Sequence, residues 1–108
     1  MTLKEQINTD VKDALKSGDA LKRSVLNMLK AAIANKEIEK RKKEEGLSES
    51  ETQEVIRSEI KKRMDSVAAF RTAGDEERAK GEESEAVILK KYLPPDATDE
   101  EIKSAVEK

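Results

Sequence analysis

The sequence predicts an all-α fold, a helical bundle built on a long antiparallel helix hairpin. Three observations predict it. Ala, Glu, Lys, Leu and Arg make up more than half of the 108 residues, a composition that signals long helices when the pattern is periodic. Apolar residues recur at steps of three and four, and no strand-like alternation appears. Gly18, Gly46 and Gly74 each precede, by one or two residues, a residue able to cap a helix: Asp19, Ser48 and Asp75. Glycine accepts the left-handed conformation that ends one helix, and Ser or Asp then caps the next.

Helix 1 is expected over about residues 3–17, capped by Thr2, with Leu3, Ile7, Val11 and Ala14/Leu15 on one face. Helix 2 is expected over 20–45, presenting Val25/Leu26, Leu29 and Ala32/Ile33. Helix 3 is expected over 49–73, with Ile56, Ile60, Met64, Val67 and Phe70 in register, and Ser48 with Glu51 forms a capping box at its start. A helix of this length spans roughly 36 Å, so helices 2 and 3 form the hairpin, joined at Gly46-Leu47. Helix 4 is expected over 76–93, carrying Ala79, Ala86, Leu89 and Leu93. Gly81 lies inside it and costs roughly 1 kcal/mol against Ala. Residues 75–81 therefore read as a looser first turn or two, with the regular helix starting at Glu82.

Pro94-Pro95 ends helix 4. Thr98 and Glu101 form a second capping box, opening a short C-terminal helix with Ile102, Ala105 and Val106. The expected organisation is an N-terminal helical domain over 1–93. Residues 94–108 form a linker and the start of a second small helical domain, which stops at Lys108.

Charged residues make up 43% of the chain, against a norm of about 25%. The net charge is only −2, so self-repulsion does not force disorder. With no Cys and no His, zinc sites of the Cys/His type, thiol chemistry, Ser-His pairs and imidazole switching are excluded. The lack of disulfides fits a reducing compartment, and a cytoplasmic location is expected. No apolar run approaches the ~20 residues of a membrane helix. With one Phe, one Tyr and no Trp, a stacking platform for single-stranded RNA is not available.

Three constellations bear on function. The first is charge on an apolar stripe. Arg63 shares the face of Ile56, Ile60 and Val67, and Glu83 shares that of Ala79 and Ala86. A buried ion needs a partner, so Arg63 is expected to pair with Glu83, or with Asp65. As a functional feature this would be an anion pocket; as a structural one, a staple between helices. The second is basic clustering. Lys40-Arg41-Lys42-Lys43 ends helix 2, where cations favour the helix dipole and Glu37, Glu39, Glu44 and Glu45 dilute their field. Lys61 and Lys62, flanked by Arg57 and Arg71, are less diluted and are the expected RNA-binding residues. The third is the acidic group Glu82, Glu83 and Glu85, three acids on one helix with no opposing partner, read as solvent-facing. No catalytic constellation, cofactor site or metal site is expected.

The stretch Arg23-Ser24-Val25-Leu26-Asn27-Met28-Leu29-Lys30-Ala31-Ala32-Ile33, followed by Lys36-Glu37-Ile38-Glu39, resembles the second helix of the YqeY family. Lys62-Arg63-Met64-Asp65-Ser66-Val67-Ala68-Ala69-Phe70-Arg71-Thr72-Ala73-Gly74 resembles its third. Glu82-Glu83 and the run to Tyr92-Leu93-Pro94 resemble its fourth. The same family occurs as the tail of the B subunit of aspartyl/glutamyl-tRNA amidotransferase. The resemblance implies an all-helical N-terminal domain followed by a second small helical domain, and a label of carbon–nitrogen ligase with glutamine as amide donor. In that enzyme the tail is associated with tRNA recognition, not chemistry. The expected role is therefore a non-catalytic module that binds tRNA or associates with amidotransferase subunits. The alternative is a protein–protein interaction module, using the apolar face of 99–108 or a groove along the hairpin. Neither a membrane nor DNA is an expected partner.

Overall fold

The computed structural model describes residues 2–42 and 44–94. Lys43, Pro95 and the short helix expected after Thr98 lie outside the described residues. Four helices are present, α1 (Leu3–Ser17), α2 (Ala20–Glu39), α3 (Glu49–Thr72) and α4 (Glu76–Lys90), and no strand occurs among the described residues. The chain divides into two compact units, Met1–Val55 and Ile56–Lys108, so α3 contributes to both.

In the first unit, α1 and α2 pack antiparallel across the Gly18-Asp19 turn. Thr2 caps α1 by accepting from the Glu5 N–H, and Asp19 caps α2 by accepting from the Lys22 N–H. Ile7 and Ala14 of α1 and Val25, Leu26, Leu29 and Ile33 of α2 are buried. Of the Ala14/Leu15 pair, Ala14 takes the core position and Leu15 is 59% exposed. Glu37 continues the buried stripe of α2 one turn beyond Ile33. Its carboxylate accepts from Lys4 Nζ at 3.0 Å, which ties the first turn of α1 to the last turn of α2.

α2 ends at Glu39, not near residue 45. The Lys42 N–H bonds the Glu37 carbonyl and the Arg41 N–H bonds the Ile38 carbonyl. That pair of bonds closes the last turn when the residue between is left-handed, and Arg41 has φ 58°. Glycine is the usual signal for this geometry, and its absence at position 41 is why periodicity ran past the true end. The chain then turns to α3 through Gly46, at φ 77°. A Cβ on Gly46 would stand 3.4 Å from the Glu37 carboxylate, ordinary contact distance, so it is the left-handed backbone that calls for glycine here. The capping box forms as expected: the Glu51 N–H donates to Ser48 Oγ at 3.1 Å, and the Ser48 N–H donates to Glu51 Oε1 at 2.9 Å.

In the second unit, Ile56, Ile60 and Val67 of α3 and Ala79, Ala86 and Leu89 of α4 are buried. The chain reverses at Gly74, at φ 81°, where the Asp75 N–H bonds the Phe70 carbonyl at 2.8 Å. Asp75 caps α4 by accepting from the Arg78 N–H. The loose first turn expected before Glu82 does not occur. α4 is regular from Glu76 onward with Gly81 inside it, because the Asp75 cap and buried Ala79 hold the first turn. The helix ends at Lys90, three residues before the expected boundary, and Leu93 folds back as a buried residue ahead of Pro94.

Candidate functional site

The cations expected to meet RNA lie along α3 in the second unit. Successive helical residues point about 100° apart. Arg57 and Lys61, one turn apart, therefore share a face, whereas Lys61 and Lys62 do not. Lys62 is the exposed member of the pair, and Lys61 is largely covered, its side chain 21% accessible. Carboxylates engage three of the four cations. Lys61 Nζ contacts Asp65, and Lys62 Nζ lies 3.1 Å from Glu59 Oε2. Arg71 forms a double fork: its guanidinium donates to Glu76 at 3.0–3.3 Å and to Glu83 at 3.1 and 3.2 Å. Glu76, then Glu83, raises the Arg71 pKa further above its ordinary value. In return Arg71 holds the Glu76 carboxyl below the usual carboxylate range. Arg57 makes no ion pair with a described residue.

Arg63 is buried, at 5% exposure, as its place on the apolar stripe requires. Its partners differ from the expected Glu83 and Asp65. Nη1 donates to the Glu59 carbonyl at 3.0 Å and to Glu59 Oε1 at 3.2 Å. Nε lies 3.4 Å from Glu85 Oε1, close enough for attraction but not aligned as a hydrogen bond. Glu83 serves Arg71 instead, and Asp65 serves Lys61. Glu83 and Glu85 are two residues apart and so lie on opposite edges of the Ala79–Ala86 stripe. A register count was the missed signal: Arg63 and Glu85 each lie eleven residues from Gly74, level with one another in a hairpin that reverses there.

Two lysines of the basic run after α2, in the first unit, close on a single carboxylate. Glu51 accepts from Lys40 Nζ at 2.9 Å and from Lys42 Nζ at 3.0 Å. The Ser48 N–H first, then these two lysines, hold the Glu51 carboxyl well below the usual range. The same contact raises the Lys40 pKa. These lysines clamp the loop and so are not free cations.

Against the expectation that Glu82, Glu83 and Glu85 face solvent without an opposing partner, Glu83 is engaged with Arg71 and Glu85 with Arg63. Among the described residues, no three side chains with metal-ligating chemistry converge. A cleft of about 150 Å³ lies between α1 and α2, lined by Lys4, Ile7, Asn8, Lys30, Ile33 and Glu37. Small-molecule sites usually occupy about 300–1,000 Å³; a more open hollow of about 480 Å³ lies past the end of α2, lined by Ile38, Arg41, Glu44 and Glu45. Among the described residues, no helix is long and apolar enough to cross a membrane. Among the described residues, the arrangement offers charge and surface.

A family model described as Yqey-like protein matches residues 4–108. No curated protein matches the chain.

Proposed function

The chain belongs to the YqeY family, and from that membership we propose that it is a non-catalytic helical module of the kind appended to tRNA amidotransferase. In this reading it works in the cytoplasm and docks on tRNA phosphates through Arg57, Lys61, Lys62 and Arg71. The family match carries the proposal. Recognition is by shape and backbone charge, since one Phe and one Tyr do not make a platform that stacks on successive bases. The carboxylates beside these cations do not block it. Exposed ion pairs are worth about 0–1 kcal/mol each, so a phosphate can displace Asp65, Glu76 or Glu83 at small cost, while Glu59 stays with buried Arg63 and Lys62 alone turns to the phosphate. Binding is correspondingly modest. Titration of bulk tRNA against the chain tests it: a Lys61→Glu/Lys62→Glu variant should lose binding and keep its helicity. Retained binding in the double variant would place the RNA surface elsewhere.

A second reading, a protein–protein interaction module, is favoured by the mutual neutralisation along α3. A face whose cations are already balanced by acids sets up little long-range field to attract a polyanion.

A further inference from the structure

The groove between α1 and α2 combines an apolar floor with free charge of one sign. Ile7, Ile33 and Ala34 line its cleft, with Asn8 and Lys30 beside them. Lys4 and Glu37 close one end as an ion pair at 3.0 Å. That contact sets the register of the antiparallel pair. One turn inward from it, Asn8 lies level with Ile33. Two turns inward, Lys12 lies level with Leu29, next to Lys30. Arg23 stands two turns back from Lys30 on the same stripe of α2. From the level of Glu37 to Arg23 the groove runs roughly 21 Å.

Lys12, Arg23 and Lys30 are exposed, and none makes an ion pair with a described residue. On α3, by contrast, Lys61, Lys62 and Arg71 each sit beside a carboxylate. The sequence keeps acids away from the groove. In a chain with 24 acidic residues, none falls between Ala20 and Lys36. On α1, Asp10 and Asp13 lie about 160° and about 140° round the helix from Asn8. Glu5 lies about 60° from Asn8, at the rim, where it accepts from Thr2 Oγ1 at 3.1 Å. Cations of one sign beside a low-dielectric wall focus the field in the groove.

We infer that the α1–α2 groove is a track for an RNA backbone, with Lys12, Arg23 and Lys30 on its phosphates. A backbone track needs a cationic row, and these three side chains meet phosphates without giving up a carboxylate. A protein partner would need apolar anchors seated in pockets, and the cleft here is only about 150 Å³. RNA as the occupant rests on the tRNA reading above. The place of contact does not: it is carried by residues of α1 and α2, none of them among the α3 cations.

The test is a fluorescence-anisotropy titration of bulk tRNA against variants of the full chain at about 50 mM salt. Arg23→Glu/Lys30→Glu should weaken binding about tenfold or more and leave helicity unchanged, since both side chains are exposed. Lys80→Glu/Lys91→Glu makes the same change in net charge on exposed residues of the second unit and should weaken binding about threefold or less. Arg23→Ala/Lys30→Ala should lower the slope of log affinity against log salt by about 2. Equal losses in the two Glu pairs, or an unchanged slope in the Ala pair, would overturn the inference. So would polyglutamate bound as tightly as tRNA, which would make the groove a surface for acidic proteins. Loss of binding in Lys61→Glu/Lys62→Glu but not in Arg23→Glu/Lys30→Glu would remove the groove and leave the tRNA reading standing. No binding by the natural chain would end both.

Discussion

At Arg63 a guanidinium sits out of water among Ile56, Ile60 and Val67, the buried residues of its own stripe on α3. Glu59 and Glu85 balance its charge. Removing one member of such a cluster leaves the others buried and unpaired, and typically costs about 3–5 kcal/mol. Both carboxylates keep some access to water, so the lower end applies: Arg63→Ala should destabilise the chain by about 3 kcal/mol in denaturant melts. Arg63→Lys should rescue little of that, because an ammonium cannot reach the Glu59 carbonyl and two carboxylates as a planar fork does. Glu51 behaves differently. Its carboxyl titrates lower in the folded chain than in the unfolded one, whose ordinary value is 4.5. The stabilisation is therefore complete above about pH 4.5 and is lost as the pH falls below it. Glu76, held down by Arg71, adds to the same loss. Unfolding midpoints measured from about pH 6 to about pH 3 should fall for the natural chain and fall less for Glu51→Gln.

Each helix begins where a capping residue and an apolar stripe coincide, and these starts were legible: Thr2, Asp19, Ser48 and Asp75 all cap as read. Ends were less so. α1 and α3 stop at Gly18 and Gly74, where glycine announces the left-handed turn. α2 stops at Glu39, and the left-handed turn just after it falls on Arg41, a non-glycine residue, so no sequence signal marks it. Gly81 misled in the other direction. A Cβ at this position would meet no heavy atom within 4 Å, and its φ is not positive. Gly81→Ala should therefore stabilise the chain by roughly 1 kcal/mol, read as a higher denaturant midpoint with an unchanged slope. A loss of stability would mean that α4 needs the glycine for a reason other than its backbone. The charged site was half legible. That Arg63 must be buried followed from its stripe. Which glutamate meets it depends on hairpin register, which periodicity within one helix does not supply.

Taken whole, the chain carries an abundance of charge that is largely self-neutralised: 22 basic against 24 acidic residues. The lysines and arginines that looked freest in the sequence, Lys61, Lys62 and Arg71, each sit beside a carboxylate. One-dimensional spacing could show that they cluster, but their neutralisation depends on side chains brought close by helical turns and the α3–α4 reversal. If the module works by binding tRNA, four cations must meet phosphates, and three of them, Lys61, Lys62 and Arg71, must give up carboxylates to do so. Neutralising four phosphates makes affinity fall on the order of a hundredfold for a fourfold rise in salt. The most direct test is a fluorescence-anisotropy titration of bulk tRNA against the full chain at about 50 and about 200 mM salt. Binding in the micromolar range that collapses at the higher salt is the predicted result, and absence of binding at both would contradict it.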